Sequence, residues 1–250
     1  MPKVTVVGVD IDIIDKEGLQ HSIMACVRDA RKAVFAYVNV HALNLTQTDS
    51  DFKRFLNAAD TVYCDGEGVR LGAWILGTKL PPRVALTYFI WDICASCERA
   101  GASVFFLGAS EEIARRAVDV LRSRYPRLNI AGWHNGYFSK EGPESDRVVE
   151  LVNNARPNLL FVGFGMPSQE HWIQRNLDRL TANVILPCGS MIDFTAGVKS
   201  LAPVWMAGHG LEWLHRLLQE PGRLWRRYLM GNPAFLFRVM VQKAKGQMSR

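Results

Sequence analysis

The chain has 250 residues, of which 48% are apolar and 22% are charged, the composition of an ordinary globular protein. No run approaches the roughly 18 apolar residues of a membrane-spanning helix, and the first residues lack the pattern of a signal peptide, so we expect a cytoplasmic protein. The net charge of +6 lies entirely after residue 202, where eight basic residues accompany two acidic ones, which indicates an anionic partner at that end.

Strand-like and helix-like segments alternate over the first two hundred residues. Apolar runs predict strands at 4–9, 33–40, 61–64, 103–107, 128–133, 158–162 and 182–186. Helices are predicted from a cap at Asp15 towards Ala30, at 69–76, at 91–99, from Ser110 to just before Pro126, and after Pro167. This alternation is typical of an α/β fold with a mostly parallel, Rossmann-like sheet and helices on both faces, in which ligands bind at the carboxyl ends of strands.

The last fifty residues carry no strand signal. Helical pieces are predicted at 205–219, 223–230 and 234–245, bounded by Pro203, by Pro221 with Gly222, and by Gly231 with Pro233. We therefore divide the chain into an α/β domain over 1–202 and an all-helical, basic appendage over 203–250. Arginines stand there among aromatic and aliphatic residues. Such helices suit a membrane interface, or they cap the domain with solvated arginines, and both interpretations stay open.

The five cysteines are expected to be reduced, because a disulfide framework is unusual in a cytoplasmic protein of this size. Cys94 and Cys97 have the spacing of a redox or zinc site. They lack a second pair and a nearby histidine, and they lie in an apolar helical pattern, which predicts thiols facing the core.

Two predicted strands continue into glycine turns and helix starts, at Gly108-Ala-Ser110 and at Gly163-Phe-Gly165-Met-Pro167. Glycine lets backbone N–H groups approach a ligand, and a helix N-terminus attracts anions, so either turn can hold a nucleotide diphosphate. The same turns also pack helices on sheets with nothing bound. Neither is a P-loop, and the fingerprint G-x-G-x-x-G is absent, which argues against a dinucleotide-dependent oxidoreductase.

Carboxylates lie near two predicted strands. Asp65 and Glu67 follow the strand at 61–64, where a carboxylate can remove a proton from an acceptor hydroxyl, although the pattern alone favours a simple Asp-Gly turn. Asp10 and Asp12 have the D-x-D form of a metal motif, but a solvated strand end is the favoured interpretation. No cluster has convincing metal-ligand spacing, so we expect neither a metal nor a cofactor.

Several segments, in their order along the chain, resemble the WecG/TagA/CpsF glycosyltransferase family. They are 59–69 around Asp65-Gly-Glu-Gly, 104–108, 132–138, 163–170 with its Gln-Glu pair, and 210–221 in the appendage. The resemblance implies an inverting, metal-independent enzyme that uses a UDP-sugar, often UDP-N-acetylmannosamine or its uronic acid and in some relatives UDP-glucose. It implies an acceptor sugar on undecaprenyl diphosphate and a role in cell-surface polysaccharide synthesis.

The resemblance also assigns residues. Asp65 matches the proposed catalytic base, which reverses the preference for a simple turn. Asn39 matches the asparagine of a T-x-N segment, Gln169 and Glu170 match a pair beside the nucleotide sugar, and the C-terminal arginines match an appendage that covers the site near the membrane. The expected substrate-binding residues are Asn39, Gly66, Thr87, Gly108, Gly165, Gln169, Glu170, Arg216, Arg223 and Arg226.

Three departures from the family pattern affect these expectations. Tyr37 replaces the threonine of T-x-N, Tyr88 replaces the aspartate of a Thr-Asp pair, and Leu201 replaces a basic residue before the appendage. The first two bear on sugar and acceptor specificity, and they motivate an alternative, a non-catalytic UDP-sugar-binding regulatory or scaffold protein. The expected partners are the two substrates and an anionic membrane surface, with no nucleic acid; a monomer and a homo-oligomer both remain open.

Overall fold

A computed structural model describes residues 1–203, 206 and 212–248, apart from the side chains of Arg223 and Met248. Its centre is a six-stranded parallel sheet. The strands are β3 (Ala33–Val38), β4 (Thr61–Cys64), β5 (Ser103–Gly108), β6 (Asn129–His134), β7 (Leu159–Gly163) and β8 (Val184–Pro187), in the spatial order β4-β3-β8-β7-β5-β6. The predicted Rossmann-like sheet is confirmed.

Helices cover both faces of this sheet. They are α1 (Lys16–Arg28), α2 (Val40–Leu45), α3 (Ser50–Ala58), α4 (Glu67–Ile75), α5 (Leu86–Ala100), α6 (Glu111–Arg124), α7 (Gly142–Ala155), α8 (Ser168–Asn176) and α9 (Met191–Thr195). Side chains alternate between two apolar layers: on β7, Leu160 and Val162 face the layer with α2, α3, α4, α7 and α8, while Leu159 and Phe161 face the layer with α1, α5, α6 and α9. Strands buried on both faces explain the continuous apolar runs in the sequence.

The N-terminus forms a separate hairpin instead of the single predicted strand over 4–9. Strands β1 (Lys3–Val6) and β2 (Val9–Asp12) pair antiparallel around Val7 and Gly8, both with positive φ. The prediction of a solvated strand end is wrong for Asp12, which is 2% exposed and accepts a hydrogen bond of 2.8 Å from the Val62 N–H. This buried carboxylate ties the hairpin to β4, a role that only the tertiary structure reveals.

Several boundaries differ from the predicted ones. The strand predicted to reach residue 40 ends at Val38, because the Asn39 side chain accepts a hydrogen bond of 3.1 Å from the Ala42 N–H and caps α2. Helix α5 begins five residues before position 91, and α2, α3, α7 and α9 were not predicted. The predicted cap at Asp15 is confirmed, since its side chain accepts from the Gly18 N–H. All five cysteines are buried free thiols, as predicted.

The C-terminal segment is more continuous than the sequence suggested. Helix α10 (Glu212–Gln219) ends where predicted, while the start of that helix falls outside the described ranges. Helix α11 (Pro221–Trp225), a π-helical turn (Arg226–Met230) and α12 (Gly231–Met248) then follow without interruption. The predicted break at Gly231 and Pro233 is wrong. The helix continues through Pro233, three residues after the π-helical turn ends.

The last helix packs on the α/β part of the molecule. Phe235 and Val239 are 1% and 0% exposed and join the apolar layer shared with α2 and α4. Gly72 of α4 permits this contact, because a Cβ there would lie 2.7 Å from the Phe235 ring. Over the residues described, no helix has both the length and the apolar character that crossing a membrane requires.

Candidate active site

A large cavity lies at the carboxyl ends of the parallel strands. Strands β5 and β7 are neighbours whose following connections lead in opposite directions along the sheet, so a ligand crevice is expected between their ends. The strands meet closely there, since a Cβ on Gly108 would collide with the carbonyl oxygen of Gly163. The cavity holds about 440 Å³, which is within the usual size of a small-molecule site.

The loops after all six strands line this cavity, and the C-terminal segment closes it. From the sheet side come Tyr37, Asn39, Asp65, Ala109, Ser110, Gly136, Tyr137, Gly163, Gly165, Gly189 and Ser190, and from the C-terminal side come Arg216, Gln219, Leu224, Arg227 and Tyr228. A smaller cavity of about 130 Å³ adjoins it between the first turn of α4 and the C-terminal helices. Asp65 lines both cavities and therefore lies at their junction.

Asp65 is a carboxylate held at the end of β4. Its N–H donates to the Val38 carbonyl over 2.9 Å, which fixes the residue beside β3. Burial raises its pKa to about 6, while the charges of Arg216 and Arg83 oppose that rise. The Arg83 Nη1 atom lies 3.9 Å from its Oδ1, and 19% of its side chain remains accessible. At neutral pH the group is therefore an accessible anion with enhanced proton affinity, which suits a general base.

Arg83 connects this carboxylate to the C-terminal segment. Its guanidinium forms an ion pair with Glu212 of α10 and lies 3.6 Å from the Glu67 carboxylate. Only 14% of the Arg83 side chain is exposed. No local sequence pattern indicates Arg83, because it follows Pro81 and Pro82 in a segment without helical or strand periodicity. Its role depends on contacts that span about 130 positions of the chain.

Gln169 and Glu170 lie beneath the cavity instead of facing it. The Gln169 Oε1 atom accepts from the Gly165 N–H at 3.2 Å and the Gly189 N–H at 3.0 Å, so it joins the loops after β7 and β8. Its Nε2 donates to Glu170 Oε1 over 2.8 Å, and both residues are buried. Burial raises the pKa of Glu170 to about 7. The pair shapes the cavity floor through the backbone it holds.

The other predicted substrate-binding residues differ in which of the two cavities they line. Asn39 and Arg216 line both cavities, Thr87 and Gly165 line the large one, and Gly66 lines the small one. Gly108 lies just below, in the close contact between β5 and β7. The Thr87 hydroxyl is buried, with no hydrogen-bond partner in the part of the chain that the structure describes. It is thus a polar group available to a ligand.

The predicted arginines of the C-terminal segment differ in placement. Arg216 faces the site, with its guanidinium carbon 5.2 Å from the Phe194 ring centroid. Arg226 is exposed, lies over its neighbour Trp225, and lines neither cavity, whereas Arg227 lines both. The Arg223 side chain lies outside the described residues. The π turn shifts the helical register, so a 3.6-residue pattern could not distinguish Arg226 from Arg227.

Tyr37 is a further site residue that was not among the candidates. Its side chain lines the large cavity, and its hydroxyl would contact any Cβ placed on Gly189. Burial raises the pKa of this phenol well above its ordinary value, and the charges of Glu170 and Asp65 act in the same direction. The neutral phenol therefore occupies space beside the proposed base.

Positive charge at the site comes from protein groups. Arg216 and Arg227 line the cavity, and the N-terminus of α6, capped by Ser110, opens on it. Within 1–203, 206 and 212–248, no group of three or more His, Cys, Asp or Glu side chains could hold a metal ion. Asp10 and Asp12 in particular are separated from the site in the N-terminal hairpin, where Asp10 accepts from Thr5 at 2.6 Å.

Comparisons with known proteins agree over nearly the whole chain. The model of the glycosyl transferase WecG/TagA/CpsF family matches residues 4–249. Similar proteins include those of Staphylococcus aureus strains MW2 and NCTC 8325 / PS 47, each named N-acetylglucosaminyldiphosphoundecaprenol N-acetyl-beta-D-mannosaminyltransferase. Each is 27% identical over 246 residues, which cover 97% of this chain and 94% of the relative.

Proposed function

This chain belongs to the glycosyl transferase WecG/TagA/CpsF family and is a glycosyltransferase, and on that premise we propose its reaction. It transfers a hexosyl unit from a UDP-sugar to a sugar carried on undecaprenyl diphosphate, with inversion and without a metal ion. The observation that supports this proposal most directly is Asp65, a carboxylate of raised pKa between two cavities and close to Arg83 and Arg216.

The proposed step is a direct displacement. Asp65 accepts the proton of the acceptor hydroxyl as its oxygen forms a bond to the anomeric carbon of the donor sugar. The bond from that carbon to the diphosphate oxygen breaks, and UDP leaves with the electron pair. Attack from the side opposite UDP inverts the configuration. The proton stays on Asp65 until solvent removes it.

The departing diphosphate carries negative charge that the site must stabilise. Arg216 and Arg227 line the large cavity, and arginine binds phosphate with two parallel hydrogen bonds. The N-terminus of α6 adds partial positive charge, and the buried Thr87 hydroxyl can donate a hydrogen bond. These groups support a reaction in which protein cations and dipoles, arranged before the reaction, replace a metal.

Two candidates for the donor sugar are each favoured by a different observation. The names of the Staphylococcus aureus relatives favour an N-acetylmannosamine-type donor and an N-acetylglucosamine acceptor. Tyr37 lines the large cavity and is bulkier than the threonine of the family pattern, which favours glucose, a donor sugar without an N-acetyl group. A panel of UDP-sugars distinguishes them.

We place the enzyme on the cytoplasmic face of the membrane. The C-terminal helices expose large apolar side chains together with Arg226, and the most exposed are Leu218, Leu229, Met230 and Phe237. Each basic residue near an anionic lipid surface contributes ~1 kcal/mol of binding energy. In this proposal residues 1–202 carry the catalytic machinery, and 203–250 complete the site and contact the membrane.

The test is UDP release by the purified protein with a chelator present. Acceptor-dependent release with one UDP-sugar supports the proposal, and release that requires added metal contradicts the metal-free mechanism. Asp65→Asn should lower kcat by about 10²–10⁴-fold while UDP binding persists, because only proton transfer is removed. Asp92→Asn, an exposed carboxylate of α5 paired with Lys16, is the control and should keep full activity.

The same variant has a thermodynamic signature. Burial raises the pKa of Asp65 from 3.8 to about 6, so the folded chain holds this proton more tightly than the unfolded chain. The contribution of Asp65 to stability therefore falls as the pH rises from about 4 to 6. Asp65→Asn removes that penalty, and its midpoint of thermal unfolding at pH 7 should be higher than that of the wild type.

The alternative is a UDP-sugar-binding protein without turnover. The bulky Tyr37 in the large cavity is the observation that favours it. UDP binding with no release from any donor, in the presence of polyprenyl-linked acceptors, would favour this alternative over catalysis.

A further inference from the structure

The smaller cavity adjoins the large one at Asp65. Six residues line both, Asn39, His41, Asp65, Arg216, Arg227 and Tyr228. The remaining walls are distinct: the first turn of α4 forms one side, and Trp213 and Asn232 of the C-terminal helices form the other. The two cavities are therefore adjoining chambers that meet at the proposed base.

A displacement reaction needs this arrangement. The acceptor hydroxyl must touch the base and must approach the anomeric carbon from the side opposite the departing diphosphate. The chamber of about 440 Å³ has the volume, the arginines and the helix N-terminus for a nucleotide diphosphate sugar. The chamber of about 130 Å³ is too small for a nucleotide, but it opens on the same carboxylate.

The lining of the smaller chamber has the chemistry of a sugar site. The Trp213 and Tyr228 rings lie 5.9 Å apart with an interplanar angle of 58°, so they form an angled aromatic wall. Trp213 keeps 37% of its surface exposed. A flat aromatic face packs against the C–H face of a pyranose, and Glu67 and Asn232 provide hydrogen-bonding groups for hydroxyls.

We propose that the smaller chamber binds the acceptor sugar and that the indole of Trp213 is its stacking platform. The inference rests on the proposed function and identifies a subsite within it. Tyr228 completes the wall, and Asp65 receives the proton of the hydroxyl that the wall holds. Leu229 and Met230, which follow Tyr228, are 60% and 63% exposed, so an amphipathic, lipid-linked ligand meets apolar surface beside the chamber.

Two substitutions at Trp213 test the platform without opening a large void. Trp213→Leu keeps an apolar side chain but removes the flat face, and Trp213→Phe retains an aromatic face. We expect the leucine variant to raise the acceptor KM about tenfold, and the phenylalanine variant to stay close to the wild type. The donor KM should change in neither. Leu151→Ala, on α7, 43% exposed and outside both cavities, is the control.

A binding measurement separates this assignment from the reaction itself. The probe is N-acetylglucosaminyl diphosphate on a short polyprenyl chain, titrated calorimetrically without donor, with UDP titrated in parallel. The assignment predicts weaker probe binding by Trp213→Leu with unchanged UDP binding. Equal probe binding by wild type and Trp213→Leu, or equal loss of probe and UDP, overturns the subsite. Failure of the wild type to turn over any donor counts against the proposed function instead.

Discussion

Two neighbouring parts of the C-terminal segment are held to the sheet by different forces. Helix α12 inserts Phe235 and Val239 into the apolar layer that it shares with α2 and α4. Helix α10 has no fully buried residue, and its specific contacts are polar: Glu212 pairs with Arg83, and Gln219 donates to Ser200. Glu220, just after the helix, pairs with Lys199 at 2.9 Å. The two attachments therefore differ in kind, since one buries apolar surface and the other relies on polar contacts.

Because of this difference, we expect the stability of the protein to depend on α12 and substrate binding to depend on α10. Helix α12 anchors the segment, and α10 with the following π turn forms a cover that brings Arg216, Arg227 and Trp213 to the site. The anchoring contacts of α12 lie outside both cavities, whereas the contacts of α10 lie beside them. We therefore expect substitutions in the two parts to affect different measurements.

The largest effect is expected for a substitution in α12, the helix that anchors the C-terminal segment, and it concerns the free energy of unfolding. Phe235→Ala should lower the free energy of unfolding by about 3–5 kcal/mol, because it removes a buried aromatic ring and leaves a cavity against Gly72. Chemical denaturation measures this loss. Phe237→Ala on the same helix, where the ring is 71% exposed, should stay within about 0.5 kcal/mol of the wild type. Equal losses in the two variants would show that α12 is not an anchor.

An intermediate effect, on the KM of the substrates, is expected at the ion pair between Glu212 of α10 and Arg83. Glu212→Gln leaves Arg83 without its partner on α10, so the cover should close less often and the KM of both substrates should rise about tenfold, ~1.4 kcal/mol. The control is Glu17→Gln, an exposed residue of α1. A large fall in unfolding free energy with unchanged KM would place Glu212 in the anchor instead.

The smallest effect is expected on the titration of the base. In the wild type, kcat/KM should fall as the pH drops below about 6, because Asp65 must be deprotonated to accept a proton. Arg216→Gln removes a cation that lowers the pKa of Asp65, so the acid limb of the profile should move to higher pH, by less than about one unit. Arg238→Gln, on α12 and bonded to Asn44, should leave the limb in place. Identical limbs in all three enzymes would mean that the charge of the cover does not reach Asp65.

The sequence predicts the parts of this molecule that depend on local pattern. Apolar runs located the six strands of the sheet. Asp65 was a candidate base because it follows a strand end, but the pattern alone favoured a simple turn, and only the family resemblance reversed that preference. Gln169 was expected beside the nucleotide sugar, yet its amide holds two glycine backbones beneath the cavity. No local pattern distinguishes a side chain that touches a ligand from one that fixes the loop around it.

The remaining differences between the predicted and the observed structure come from contacts between residues that are far apart in the sequence. Asp12 is buried because β4 presents an unpaired N–H to it, and Arg83 matters because a helix that begins some 130 residues later supplies Glu212. The π turn decides that Arg227 instead of Arg226 faces the site. Each of these facts depends on how elements meet in space, which a single sequence records only indirectly.

Two hydrogen bonds join the N-terminal hairpin to helix α12. The Val7 N–H donates to Gln242 Oε1 at 2.7 Å, and Gln242 Nε2 donates to the Thr5 carbonyl at 2.8 Å. These hydrogen bonds therefore connect the hairpin to a helix about 235 positions further along the chain. The contact of Phe235 with Gly72 likewise joins distant parts of the chain, so both attachments of α12 require the closure of long loops during folding.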